Sequence, residues 1–302
     1  MTLQQLKYAI ETADKGSMSE AAKSLFVAQP SLSNAIKELE NEIHMTIFIR
    51  SNKGIIISPE GKEFLGYARQ IIEQSNLLEE RYIGQKKRKT KFSVSAQHYS
   101  FAINAFVDLI KKCGSDKYKF TMRETKTYEI IEDVKNLQSE IGILYMNDYN
   151  EKVISKLLKE NELDFELLFV ANPHIFVSSQ NPLSKKKEVN LKDLENYPYL
   201  SFEQGQNNAF YFSEEILSTI EHKKWIEVSD RATLFNLLIG LNGYTISSGV
   251  ISKELNGENI ISVPLDVKDS MKIGFITNKS VIRSSLCEGY IECIKKYTEF
   301  MQ

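Results

Sequence analysis

A chain of 302 residues exceeds the usual size of one compact domain, so two or three units are expected. Hydrophobic residues make up 42% and charged residues 26%, which suits a folded protein and excludes a disordered one. Its 38 Lys and Arg against 40 Asp and Glu leave a net charge of -2, excluding a uniformly basic nucleic-acid coat but not a local basic surface. That surface must lie early. The first 58 residues carry six groups of each sign, residues 59–91 carry eight positive against five negative, and the rest carry 24 against 29. Cys113, Cys287 and Cys293 make neither a disulfide framework nor a metal knuckle. With no signal-peptide pattern at the N-terminus and no run of about 18 apolar residues, a cytoplasmic chain is expected.

Leu3, Leu6, Ala9, Ile10 and Ala13 fall on one face of a helix that Gly16 ends. Ser19 stands where an N-cap would, opening a second helix over Ser19–Leu25 with small inner residues Ala21 and Ala22. A third helix starts near Pro30, with Leu32, Ile36, Leu39 and Ile43 inward. Its outer face near the start carries Gln29, Ser31, Ser33, Asn34 and Lys37. Amides pair bidentately with adenine, hydroxyls accept or donate, and a lysine or helix N-terminus suits phosphate, so this is a recognition-helix pattern. Residues 47–57 then form two short strands around Asn52-Lys53-Gly54, a wing whose Arg50 and Lys53 are placed for the DNA backbone or minor groove. By periodicity alone, three amphipathic helices in an inert bundle fit as well.

The residues decide between these readings. Gly16-Ser17-Met18-Ser19-Glu20-Ala21-Ala22 and Gln29-Pro30-Ser31-Leu32-Ser33-Asn34 resemble the N-terminal signature of LysR-type transcriptional regulators. Phe48-Ile49-Arg50-Ser51-Asn52-Lys53-Gly54 and Ser58-Pro59-Glu60-Gly61 continue it without a gap. The resemblance implies an all-α winged helix-turn-helix domain over 1–58, with the helix-turn-helix at about 18–37. It adds Ser17 and Pro30 to the DNA-binding candidates. A linker helix and hinge over 59–91 follow, and then an α/β effector domain over 92–302 of two α/β subdomains, like a periplasmic binding protein. The chain would cross between subdomains twice, giving 92–164 with 270–302 as the first and 165–269 as the second. Asn34 and Ala35 replace a longer polar pair common in the family, which bears on the operator bases read.

Phe64, Ile71 and Leu78 lie one heptad apart, with Ala68, Ser75 and Tyr82 on the adjoining position, the spacing of a coiled-coil seam. The resemblance implies antiparallel pairing of this helix with another subunit, hence a dimer or tetramer on a two-fold operator. Packing of the helix on its own domain is the plainer alternative. Gln85 to Lys91 reads as a solvated hinge, or else as a DNA-contacting basic tail.

Beyond it the pattern alternates. Strands are predicted at 92–96, 119–124, 141–146, 165–171, 175–178, 199–202, 225–229, 244–248, 260–264 and 271–277. Helices are predicted at 100–113, 127–138, 209–220, 232–241 and 286–300. His44, His98, His174 and His222 form no metal pair, and no nucleophile elbow, P-loop or dinucleotide motif is present, so neither an enzyme nor a metal or other cofactor is expected. An uncharacterised enzyme or metabolite-binding protein with an inert head is the alternative class.

In α/β sheets, ligands sit at strand ends against helix N-termini. The effector candidates are therefore Gln97, His98, Tyr99 and Ser100 after the first strand, and Thr125 and Thr127 after the next. Ser201, Phe202, Glu203, Arg231, Thr245, Ser247 and Ser248 face them across the implied cleft. Hydroxyls, amides and helix ends predict a small polar, amino-acid-like effector. Segments 123–129 and 200–205 also resemble a subgroup from Gram-positive cocci linked to methionine and cysteine metabolism.

Overall fold

Thr2 and Gln5 exchange hydrogen bonds at the start of α1 (Leu3–Lys15), a reciprocal cap that satisfies otherwise free N–H groups. Gly16 closes the helix in the left-handed conformation, at φ 62°. Helix α2 (Met18–Leu25) is capped by Ser17, whose hydroxyl accepts from the Glu20 N–H at 3.4 Å. The expected cap at Ser19 is corrected by two residues: the Ser17 backbone is extended, as an N-cap must be, and Ser19 is already helical. Helix α3 (Gln29–Glu42) starts with Pro30 in its first turn and has no side-chain cap. The computed structural model describes residues 1–51, 54–82, 90–114, 117–207, 209–251 and 257–298.

Ala9, Ala21, Ala22, Leu32, Ile36 and Leu39 knit the three helices into one core, which Ile47, Phe48 and Leu65 complete. The wing is an antiparallel hairpin of β1 (Phe48–Ser51) and β2 (Gly54–Ile57). Glu40 fixes its entry by accepting the N–H groups of Ile47 and Phe48 at 2.7 and 2.9 Å. Ser58 donates to the Thr46 carbonyl at 2.6 Å and accepts from the Gly61 N–H at 2.8 Å, which starts α4 (Pro59–Tyr82). A Cβ on Gly61 would lie 2.5 Å from the Ile47 carbonyl oxygen, so only glycine lets the helix approach there.

The chain divides into two compact units, Met1–Lys87 and Arg88–Gln302. The second holds two mixed five-stranded sheets. The first sheet contains β3 (Thr90–Ala96), β4 (Tyr118–Glu124), β5 (Ile141–Met146), β6 (Leu163–Ala171) and β12 (Met271–Asn278), in the order β4-β3-β5-β12-β6. The second contains β7 (His174–Ser178), β8 (Tyr199–Phe202), β9 (Trp225–Val228), β10 (Tyr244–Ser247) and β11 (Ile260–Pro264), in the order β11-β7-β10-β8-β9. Helices α5 (Ser100–Cys113), α6 (Thr127–Lys135), α7 (Glu151–Glu160) and α10 (Ser285–Thr298) accompany the first sheet. Helix α9 (Arg231–Leu241) packs on the second, and a single turn, α8 (Leu191–Leu194), lies in the same subdomain.

Several expectations need correction. Strand β6 pairs antiparallel with β12, so it belongs to the first sheet, and the first crossing falls after Ala171 rather than before Phe165. Gly274 sits at a register shift in that pairing; a Cβ there would meet the Phe165 ring at 2.3 Å. No helix spans 209–220: a short 3-10 turn at Phe210–Phe212 is followed by bends, and Leu217 is left-handed at φ 63°. Helix α6 stops at Lys135 because Leu137 is left-handed, at φ 51°. Helix α7 was not expected, although Val153, Ile154, Leu157 and Leu158 recur at helical spacing.

Candidate functional site

On the first unit, Gln29, Pro30, Ser31, Asn34 and Lys37 are exposed on the first turns of α3, and Ser33 is half-buried beside them. Without a side-chain cap, the first N–H groups of the helix are open to an anion. Ser17, half-buried, presents a hydroxyl at the start of α2 but already spends it as a cap. Phe26, the left-handed residue between α2 and α3, is 95% exposed, and nothing in its type marks it from sequence. Lys53 lies outside the described residues, as do residues 85–89 of the basic segment and the side chains of Arg50 and Tyr82.

The heptad on α4 divides. Phe64, half-buried, packs against the head's own core and Ala68 is buried, as in the plainer alternative of a helix packed on its own domain. Ile71 and Leu78 are 41% and 61% exposed, and Tyr67, not singled out in the sequence, is 59% exposed along the same stripe. Together they leave an apolar stripe exposed on this helix.

In the second unit the two subdomains meet over charged groups. His98, in the turn after β3, is bonded by Nδ1 and by its backbone N–H to Glu214 Oε2, at 2.8 and 3.0 Å. The His98 ring stacks flat on Phe202, with centroids 3.7 Å apart. Burial works against charge on this ring, but the Glu214 carboxylate more than offsets it and holds the His98 pKa above its ordinary value. Glu124, at the end of β4, pairs with Arg231 at the start of α9, at 3.1 Å. Burial raises the Glu124 carboxyl despite that guanidinium. Glu203 pairs with Lys126 at 3.2 Å, and Gln204 accepts the Thr127 N–H at 3.2 Å. Glu215 is buried and accepts the Phe202 N–H at 2.9 Å; burial, then Glu214 beside it, pushes its carboxyl well above the usual range.

Between these groups lies a small pocket, with about 390 Å³ of open space when its mouth is counted. His98, Tyr99, Phe202, Arg231, Thr245 and Ser247 line it, as the sequence reading placed them near a cleft. Other candidates are committed elsewhere. Gln97 is buried, donating to Thr127 Oγ1 at 2.6 Å and accepting the Tyr145 N–H at 3.0 Å. Ser100 donates to the Val250 carbonyl at 3.4 Å, and Thr125 bonds Glu129. Ser201 accepts from the Trp225 indole at 2.7 Å, and Ser248 accepts the Val250 N–H at 3.4 Å. The sequence reading missed Glu214 and Glu215, which line the pocket along with Phe176, Leu234, Phe235 and Ile246. The acidic pair had a signal, two adjacent carboxylates in an aromatic segment, within the stretch expected to be a helix over 209–220.

A winged three-helix head with a polar recognition face, on one chain with a two-subdomain ligand-binding fold, defines a DNA-binding regulator. Residues 3–62 match the bacterial regulatory helix-turn-helix protein of the lysR family, and residues 117–299 match the LysR substrate binding domain. The chain belongs to the LysR family of transcriptional regulators, and is not an enzyme. The HTH-type transcriptional regulator CysL of Bacillus subtilis is 26% identical over 259 residues, 83% of this chain and 82% of that protein. The transcriptional dual regulator GltC of the same organism is 29% identical over 212 residues, 68% of this chain and 66% of that one. In fold, the chain is similar to a full-length OxyR variant from Pseudomonas aeruginosa, at TM-score 0.73 and 18% identity, covering 98% of this chain and 95% of that one. It is also similar to CbnR in complex with its target DNA, at TM-score 0.58 and 17% identity, covering 98% of this chain and all of that one. No helix among the described residues is long and apolar enough to cross a membrane.

Proposed function

We propose that this regulator binds a two-fold operator in the cytoplasm as a dimer or tetramer, and that a small amino-acid-like effector in the cleft sets its operator affinity or bending. The observation that carries the DNA half is the exposed face of Gln29, Ser31, Asn34 and Lys37 on an uncapped helix start. Its amides and hydroxyls read base edges, while Lys37, Arg50 and Lys53 hold phosphates. The exposed Tyr67, Ile71 and Leu78 stripe supports self-association. The effector half rests on the pocket that joins both subdomains: a ligand touching both biases their arrangement, and only such differential contact shifts the population. The resemblance of segments 123–129 and 200–205 supports target genes of sulfur amino-acid metabolism.

The test is selection of retained genomic fragments, followed by gel shifts of one such fragment against random DNA across a salt series. Specific retention that weakens with salt is expected. Equal affinity for random and selected fragments would overturn the assignment. Sedimentation of Leu78→Asp separates the oligomer reading: a charge in an apolar seam costs several kcal/mol, so loss of the dimer is expected and an intact one contradicts the stripe.

A further inference from the structure

We infer that the cleft pocket is built for a zwitterionic α-amino acid with an apolar side chain, Glu214 taking its ammonium and Arg231 its carboxylate. This rests on reading the cleft as the effector site. Glu214 is only 7% exposed, and both of its bonds to His98 use Oε2. Its other oxygen, Oε1, is buried without a hydrogen-bond partner among the described residues. Arg231 spends Nη2 on Glu124, while its Nη1 is likewise buried without a partner. Buried polar groups are seldom left unpaired, because each unmet donor or acceptor costs its desolvation. Glu124 Oε1, 3.1 Å from Arg231 Nη2, is also without a hydrogen bond, so the cleft offers unmet anionic acceptors and an unmet cationic donor, the complement of an ammonium and a carboxylate.

Charge balance narrows the class. Glu124 and Glu214 face one fixed cation, Arg231, beside His98, and burial raises the Glu215 carboxyl. A dicarboxylate or phosphate would bring further negative charge against two carboxylates, whereas a zwitterion adds none. Phe176, Leu234, Phe235 and Ile246 make most of the remaining wall apolar, beside the hydroxyls of Thr245 and Ser247, which suits a largely hydrocarbon side chain.

The experiment uses the full-length chain, with calorimetric titration and thermal unfolding in L-leucine, the α-keto acid of leucine, isopentylamine and glutarate. Leucine should bind at least about tenfold more tightly than each of the others, a difference of about 1.4 kcal/mol. L-methionine and L-phenylalanine, run beside it, sample other apolar side chains. Glu214→Gln should abolish the preference for leucine over its keto acid. The wild-type series stands alone if that variant does not fold. Keto acid or glutarate binding as well as leucine overturns the zwitterion, as does no binding by any of the three amino acids. Ser247→Trp, which fills the pocket, separates the two readings. If the keto acid binds and this variant blocks it, the cleft stands and only the zwitterion fails. If leucine binds Ser247→Trp as well as wild type, the cleft reading itself fails.

Discussion

The recognition face of α3 and the cleft of the second unit are both polar, yet they are made by opposite means. On α3 the polar groups are mostly exposed, short and uncharged, and the core beneath them is apolar apart from Thr12. In the cleft the polar groups are ionisable, buried or half-buried, and mutually bonded across two subdomains. A surface that meets a hydrated, charged polymer keeps its polar atoms in water until contact. A pocket that selects one small molecule holds them desolvated and fixed beforehand. Removing a charge should therefore harm stability in the cleft and only DNA binding on the helix.

Substitutions in the two regions test that contrast directly. Arg231→Met leaves the half-buried Glu124 without its cation and should cost about 2 kcal/mol in urea unfolding of the second unit, less than for a fully buried pair because both groups keep some water. Lys37→Ala should change unfolding by less than about 0.5 kcal/mol. Equal losses would erase the distinction. Next, Gln29→Ala with Asn34→Ala should remove about 1–3 kcal/mol of operator binding for each bidentate base contact. Affinity for random DNA should stay the same. A parallel loss on random fragments would assign these residues to the backbone. Smaller still, Lys37→Ala should lower the slope of log affinity against log salt by about one, and Arg50→Ala with Lys53→Ala by about two. Unchanged slopes would take these cations off the duplex.

The smallest effect is that of pH. His98 is held protonated above its ordinary pKa of 6.5 by Glu214. Stability from that pair is complete below 6.5 and is lost as pH rises through the higher folded value. Glu215, with its raised carboxyl, has the same sign: the folded state keeps a proton that the unfolded chain releases. Unfolding free energy of the second unit should fall as pH rises above 6.5, and His98→Gln should lessen the fall. A rise there would contradict the pairing.

The two regions also differ in how far their sequences could be read. In the head, local signals agree with tertiary ones. Gly16, Pro30 and the spacing of Leu32, Ile36 and Leu39 each act within a turn or two, and the short outer residues of α3 are exposed as their pattern requires. The exception is α4, where one heptad pattern serves two partners and periodicity does not say that Phe64 turns inward while Leu78 stays bare. In the second unit, strands such as β5 and β8 stand where apolar runs put them. The pocket, by contrast, is assembled by contacts over a hundred residues apart. In place of a helix, Glu214 has its carboxylate on His98 and Glu215 accepts the Phe202 N–H. Ser100 and Thr125 sit at strand ends as expected but bond to Val250 and Glu129. Strand ends locate a cleft; which side chains turn into it depends on the partner subdomain.

His98–Glu214, Glu124–Arg231, Lys126–Glu203 and Thr127–Gln204 all bridge the subdomains around the pocket. Glu214 Oε1 and Arg231 Nη1 are buried behind them, so a ligand that takes both atoms must wait for these contacts to part, and its binding would be timed by the protein and not by diffusion. Observed association rates should climb with ligand concentration and then level off at the opening rate, in the microsecond-to-millisecond range of domain motions. Departure faces the same gate, with the ligand's own contacts added to it. Such a regulator would outlast brief fluctuations in its effector and report a sustained average supply.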